Sequence, residues 1–333
     1  MTGAVVRPLP DPHAFLARRA RWSAPEILFW LSTLLPFWLF PDYLSLASQI
    51  AVWALFAISV DLILGYAGIV TLGHAVFFGI GADTAGLLGK HGWGEPLSGL
   101  LIAATAAAAV GFLVSFFVVR ARHLALLMIT IGIVFMAREA ANALHWITGG
   151  SDGLQGIRID PVLGRFEFDL WGTTAYGYAL AVLFVAFVFC RRLVNSPFGL
   201  ALQGIRENPT RMLAIGSPMR WRLQQVFTFS AGLAGLAGAV LAQTTETVSL
   251  ESLGFQRSAD VVIMLILGGT GRLYGGILGA VIFLVARDQL SDVNPRYWYF
   301  WIGMLLIGVV LFMRDGLLGG LSRLWDRVRG RGA

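Results

Sequence analysis

Apolar positions in this chain fall into long uncharged runs rather than into alternating or one-sided amphipathic patterns. The runs occupy residues 27–41, 43–60, 62–82, 97–119, 123–137, 171–190, 223–245, 261–271, 273–286 and 297–313. A perpendicular crossing of a bilayer needs about 20 apolar residues, so the longer runs predict membrane-spanning helices. The two between 261 and 286 are short and broken by glycine, which predicts discontinuous or re-entrant segments. Non-helical backbone survives at membrane depth only when buried in protein or lining a cavity, so these two point to a pathway rather than to a lipid face. The expected fold is an all-α polytopic membrane protein of about ten transmembrane or re-entrant helices.

Composition agrees with lipid as the solvent. Hydrophobic residues make up 57% of the 333 positions and charged residues 13%, with a mean hydropathy of +0.73. Soluble domains average about 45–50% and about 25%, so a cytosolic enzyme or a nucleic-acid binder is disfavoured. The net charge of +6 changes the picture through its placement, because the basic residues flank the runs. If all ten runs cross and the N-terminus is cytoplasmic, 18 Arg fall on the cytoplasmic side: residues 7, 18, 19, 21, 120, 122, 191, 192, 206, 211, 220, 222, 272, 314, 323, 327, 329 and 331. Six basic residues fall opposite (Lys90, Arg158, Arg165, Arg257, Arg287, Arg296), with Arg138 inside a run. The positive-inside rule then places both termini in the cytoplasm. Residues 1–25 and 314–333 read as cytoplasmic tails around a transmembrane domain of 26–313. The first run is followed by Pro41-Asp42 and another long run rather than by a small-residue cleavage site, so it reads as an anchor.

Two loops are long enough to act. The external one, 145–172, is acidic and glycine-rich. The cytoplasmic one, 191–222, holds six Arg against the single acid Glu207. Within it Asn208 can cap a helix, Pro209 suits its first position, Gly216 suits a left-handed end and Pro218 prevents resumption. The result is a helix of about two turns, too short to be stable alone, which must dock on a partner or lie on lipid with Met212, Leu213 and Ile215 down.

The sequence contains no phosphate-binding loop: the only lysine, Lys90, precedes His91, so ATP is not hydrolysed in this chain. The five histidines lack metal-ligand spacing and no Gly-x-Ser-x-Gly elbow occurs, so no metal site or hydrolase is expected. The single cysteine, Cys190, reads as an inert lipid-facing or packing residue. Small residues repeat every fourth position at Gly271, Gly275 and Gly279 and at Ala231, Gly235 and Ala239, which suits close helix packing, with the alternative that some of these glycines line a permeation route.

The stretch 65–82, GYAGIVTLGHAVFFGIGA, resembles the signature of M-type permease subunits of branched-chain amino acid ABC importers, a family that also includes urea and short-amide permeases. Thr148-Gly149-Gly150-Ser151-Asp152 resembles the family's external motif, residues 198–208 its cytoplasmic loop, and residues 267–275 its late glycine hairpin. The resemblance spans about residues 45 to 312. It implies half of a translocation pore in the bacterial inner membrane, completed by a second permease subunit, two ATPase subunits that use the ATP, and a periplasmic binding protein delivering a small amino acid or amide. No cofactor is implied in this chain, and no nucleic-acid partner. It further implies that residues 206–216 form the ATPase-coupling element, with Arg206, Glu207, Asn208, Pro209, Met212 and Gly216 as its key positions. Gly65, Gly68, Gly73, His74, Asp83, Gly268 and Gly271 become the candidates for the solute pathway.

Asp83 stands where the family usually has tyrosine, which puts a carboxylate inside a membrane segment. Ionisable groups there default to functional hypotheses. Asp61 is read as a solvated group near a helix end or a pathway group. Asp83 is read as a rim carboxylate, a partner of Arg138, or a solute contact. Arg138 and Glu139 point about 100° apart on a helix, so either could pair with Asp83 or Asp61 across helices. His74 is read as a packing group or a solute contact. The rival from another class is a proton-coupled secondary transporter with Asp83, Glu139 and Arg138 as its relay.

Overall fold

The structure, a computed structural model, describes residues 22–121, 123–169, 171–293, 295–312, 316–317 and 319–320. The expected tails 1–25 and 314–333 lie almost wholly outside the described residues. The described chain is helical, with only isolated bridges at Leu154–Val248 and Val162–Phe166. Its helices are α1 (Ala24–Ser32), α2 (Pro36–Leu39), α3 (Leu44–Asp61), α4 (Ala75–Lys90), α5 (Pro96–Val118), α6 (His123–Ala143) and α7 (Thr173–Val194). They continue as α8 (Pro197–Glu207), α9 (Pro209–Ala214), α10 (Met219–Thr245), α11 (Phe255–Gly268), α12 (Leu273–Val293) and α13 (Trp298–Phe312). Six stretches are long and apolar enough to cross a membrane: Pro41–Ala67, Pro96–Val118, Leu124–Ala143, Thr173–Val194, Met219–Thr245 and Leu273–Val293. Shorter apolar helices lie at Ala24–Leu39 and Trp298–Val309.

Two expected boundaries move. The runs 43–60 and 62–82 do not part at Asp61. Instead α3 continues through it into a π-helical turn, Leu62–Ala67, and the break comes at Gly68. A lone carboxylate does not stop a helix when a backbone amide satisfies it, and Gly271 N–H donates to Asp61 Oδ1 at 2.7 Å. The second change is in the late pair. The helix α12 is a 21-residue candidate span rather than a broken piece. Only α11 is short: its 14 residues rise about 21 Å, against a hydrocarbon core of about 30 Å.

The most deeply buried helix is α3, with α10 packed along it and along α4 and α5. The small-residue face of α10 does what such faces do in lipid, letting backbones approach closely. A Cβ on Gly235 would press into Ala107 of α5, and one on Gly238 would fall on the Phe78 carbonyl of α4. In α12, Gly275 and Gly279 face α11 at Gly268–Gly269 and Met264. Cys190 is fully buried and therefore packs inward. At the start of the chain Arg191 of α7 forms an ion pair with Glu26 at 2.6 Å and lies 4.2 Å over the Trp22 ring, which fastens α1 to α7.

Loop contacts define two ends of the bundle. At one end, segments 90–96, 144–172 and 246–254 come together: Leu154 and Val248 exchange backbone hydrogen bonds at 2.8 and 3.1 Å, and Asp160 N–H donates to the Gly94 carbonyl at 2.9 Å. At the other, α8 meets the end of the π-helical turn and the Gly269–Arg272 turn.

Candidate functional site

Between the two ends lies a polar junction built from broken elements. The short helices α4 and α11 both begin there: Ala75 N–H, in the first turn of α4, donates to Ser258 Oγ in the first turn of α11 at 2.9 Å. From that junction they diverge, α4 toward the 144–172 loop, where Gly89 packs on Ile157 and Arg158, and α11 toward the 269–272 turn. His74, at the N-cap position of α4, is fully buried, with Nε2 2.9 Å from Ser230 Oγ. Ser230 in turn donates its hydroxyl to the Ser59 carbonyl at 2.5 Å. A hydroxyl has one proton, so His74 must donate Nε2–H, leaving Nδ1 as an acceptor with no partner among the described residues. His74 therefore ties α4 to α10 and α3 and packs edge-on against Phe77 and Phe227. Gly73 sits against Thr130 of α6, and the Thr71 hydroxyl accepts from its amide at 3.1 Å.

The second cluster lies at the α8 end and unites residues that the sequence assigned to different tasks. Asp61 is fully buried, with Oδ1 bonded to Gly271 N–H and Oδ2 without a hydrogen-bond partner among the described residues. Arg206 of α8 donates from Nη1 to the Gly65 carbonyl. Gly68 and Gly271 have φ of +74° and +76°, the left-handed region that disfavours side chains, and each turn presents its backbone to the Arg206 side chain. A polar cavity of about 430 Å³ opens beside them, walled by Gly65, Tyr66, Gln203, Arg206, Glu207 and Gly271. The solvated reading of Asp61 is thus overturned, because helical continuity through residue 67 carries it into the interior.

Just beyond, α9 follows the expected cap pattern. The Asn208 side chain accepts from Arg211 N–H at 2.9 Å, Pro209 is the first helical residue, and Gly216 takes φ +77°. Arg206 and Glu207 belong to the preceding helix α8 and not to this one. Met212 turns inward against Gly204 of α8, whereas Leu213 and Ile215 are 56% and 70% exposed. The three apolar side chains therefore do not share one downward face.

At the opposite end the Thr148–Asp152 stretch is a folded turn. Thr148 donates to the Ala141 carbonyl at 2.6 Å, Gly149 and Gly150 are left-handed at +77° and +58°, and Ser151 lies 3.5 Å from the Asp152 carboxylate. Gly153, also left-handed, lets Leu154 pair with Val248. Gly268 packs on α12 and is separated from the polar junction.

The proposed Asp83–Arg138 pairing is absent. Asp83 is half-buried on α4 and makes no hydrogen bond or ion pair among the described residues, while Arg138 and Glu139 are exposed on α6. Their exposure lets water or headgroups satisfy the charges without a partner. Asp83→Asn and Arg138→Gln should consequently have additive effects on thermal unfolding in detergent, within about 0.5 kcal/mol. A larger coupling energy would restore the pair. Sequence reading also passed over Ser230, Ser258 and Gln243. Gln243 donates to the Pro96 carbonyl at 2.9 Å and accepts from Tyr178 at 2.5 Å. A polar side chain inside an uncharged run was the available signal for Ser230 and Gln243, whereas Ser258, between Arg257 and Asp260, carried no such signal.

A further cavity of about 1220 Å³ is an open groove between α5 and α7 over α10 and is almost wholly apolar. Its lining is aliphatic and aromatic apart from a few threonines and Tyr178, so the denser polar features stay with the broken helices and the two loop ends. Residues 43–310 match the family described as branched-chain amino acid transport system/permease component. The chain belongs to this permease family. The high-affinity branched-chain amino acid transport system permease proteins LivM of Salmonella typhimurium and Escherichia coli are each 30% identical to it over 312 residues, covering 85% of this chain and 71% of theirs. The autoinducer 2 import system permease protein LsrC of an Enterobacter species is 28% identical over 296 residues, covering 84% of this chain and 81% of its own. No solved structure matches. The permease is a multi-pass inner-membrane subunit of an ABC importer and is not itself an enzyme; its class implies ATPase and substrate-binding partners.

Proposed function

We propose that this permease forms one half of a pore, completed by a second permease subunit, for a branched-chain amino acid received from a periplasmic binding protein and moved by two ATPase subunits bound beneath the pair. No cofactor acts in this chain; ATP is used by the partners. The LivM relatives support the solute, while the LsrC likeness keeps other small polar solutes in the same architecture. The observation that carries the coupling reading is α9, a capped two-turn helix with Leu213 and Ile215 outward at the Arg-rich end. Helices this short persist by docking.

The contacts also favour ten passages with both termini cytoplasmic. Ala24–Leu39 runs from the Arg191 end, where Trp22 sits, toward Tyr176, and the passage 246–268 is completed by an entry through the short 3-10 turn Leu250–Leu253 followed by α11. Counting these with α3 to α7, α10, α12 and α13 returns 191–222 to the cytoplasmic end and 145–172 to the outer end. In this reading the core is 26–313, flanked by the cytoplasmic tails 1–25 and 314–333.

Solute would pass the junction at Gly73 and His74, with Gly65, Gly68 and Gly271 at the inner exit, and Asp83 and Gly268 beside the route. The turn Thr148–Asp152 would face the binding protein.

In liposomes, the chain alone should neither hydrolyse ATP nor take up leucine under a pH gradient, and leucine uptake should appear only with the ATPases, second permease, binding protein and ATP. Uptake by the chain alone under a pH gradient would favour the proton-coupled alternative.

A further inference from the structure

The buried carboxylate of Asp61 and the guanidinium of Arg206 meet through backbone belonging to two different breaks in the membrane helices. Asp61 holds Gly271, the turn between α11 and α12, by the 2.7 Å bond to its amide. Arg206 holds the Gly65 carbonyl in the π-helical turn that ends α3. Carbonyls at the end of a helix lack intrahelical partners and carry partial negative charge, so a cation is favoured there. Space is the other half of the argument. A Cβ on Gly65 would fall on the Asp61 carboxylate and the Gly271 amide, one on Gly271 would lie 3.0 Å from Arg206 Nη1, and one on Gly68 would lie 2.9 Å from Arg206 Cγ. Three glycines thus clear a channel through which one arginine reaches two turns.

Arg206 is also one residue from the end of α8, and only Asn208 separates α8 from α9. Met212 of α9 packs on Gly204 of α8, so displacing α9 must move the last turn of α8. The polar cavity of about 430 Å³ beside the guanidinium gives it somewhere to go when it leaves the Gly65 carbonyl.

We propose that Asp61 and Arg206 are positioning residues forming a latch: through Gly65 and Gly271 they tie the ATPase-facing loop to the breaks at 68–74 and 269–272, and displacement of α9 withdraws Arg206 and frees both breaks together. This rests on the reading of α9 as the ATPase contact. The latch differs from a direct arginine contact with the ATPase because the guanidinium of Arg206, an exposed residue, is bonded to the Gly65 carbonyl of the permease itself.

The test uses the complete importer in liposomes, with leucine as the transported probe and variants Arg206→Gln, Arg206→Lys, Asp61→Asn and Asp61→Asn/Arg206→Gln. Asparagine keeps an oxygen for the Gly271 amide and removes the ionisable carboxyl. Leucine moved per ATP should fall about tenfold in each neutral single variant, a coupling loss of the usual allosteric size. The double variant should be no worse than the poorer single one, and Arg206→Lys should recover part of the loss. A purely structural role would lower the melting temperature and leave leucine per ATP unchanged, which would overturn the latch. Multiplying effects in the double variant would overturn it as well. If Asp61→Asn does not assemble, the Arg206 variants on the more exposed side decide alone. Leu213→Cys should cross-link to the ATPase equally well with Arg206 or Gln at 206. Cross-linking lost only in Arg206→Gln would make Arg206 an ATPase contact and reject the latch, whereas no cross-link even with Arg206 present would reject the α9 reading instead.

Discussion

Replacing Met212 by proline should leave the assembled importer able to hydrolyse ATP while removing about nine-tenths or more of its leucine transport, because an interior proline costs about 3 kcal/mol. Met212 N–H donates to the Asn208 carbonyl at 3.2 Å, one of few hydrogen bonds in a six-residue helix. Proline removes that donor and drives its ring against the Asn208 carbonyl, and a two-turn helix has no reserve with which to absorb the loss. The remaining contacts of the bundle, far from α9, are untouched. Leu213→Asp provides the companion result, since its side chain is exposed and its replacement leaves the helix formed while placing a charge in the docking face. Transport and ATP hydrolysis measured on the same liposomes check both. Normal transport by a well-assembled Met212→Pro importer would remove α9 from the energy path.

Gly238→Leu should prevent the permease from folding into a monodisperse particle. A Cβ at 238 would collide with the Phe78 carbonyl and lie 2.9 Å from Ala82 N–H, and across the same seam a Cβ at Gly81 would strike the Gly235 backbone. Backbone cannot swing aside as a side-chain tip can, so α4 and α10 would have to separate along the seam that places His74 against Ser230. Overpacking ordinarily costs about 1–3 kcal/mol, and a backbone collision at the centre of the bundle should exceed that range. Gly132→Ala is the matched control, because nothing lies within 4 Å of its would-be Cβ. Size-exclusion profiles and thermal unfolding in detergent should show aggregation for Gly238→Leu and an intact, equally stable particle for Gly132→Ala. A folded Gly238→Leu permease with a normal melting temperature would contradict the close α4–α10 seam.

These residues also show what a single sequence can reveal. The cap at Asn208, the proline start at Pro209 and the left-handed Gly216 were legible because caps are decided by a handful of neighbouring backbone groups. The small-residue faces of α10 and α12 were legible because a fourfold spacing suits close helix packing in lipid, although Gly271, the first of the second series, lies in the turn before α12 against Arg206. Asp61 was misread because its fate depends on an amide 210 positions away at Gly271, information that no local pattern holds. Arg206 was read as part of the coupling helix for a related reason: a loop rich in arginine hides the one whose side chain finds glycine-lined access to the interior. Asp83 and Arg138 illustrate the reverse error, in which two isolated charges in apolar runs invite pairing although the fold leaves Arg138 exposed. The division of labour between α11 and α12 was also hidden, since α12 carries its helix past Arg287 and Asp288 where the apolar run ends.

The most direct test of α9 as the point where ATP energy enters is cross-linking from position 213. Cys190 is fully buried, so Leu213→Cys supplies the accessible thiol among the described residues. In the complete importer a short thiol-directed photo-cross-linker at 213 should capture the ATPase subunit, and the same reagent at the opposite loop, on Leu163→Cys, should not. Capture of lipid alone from position 213, with the importer assembled and active, would contradict the account.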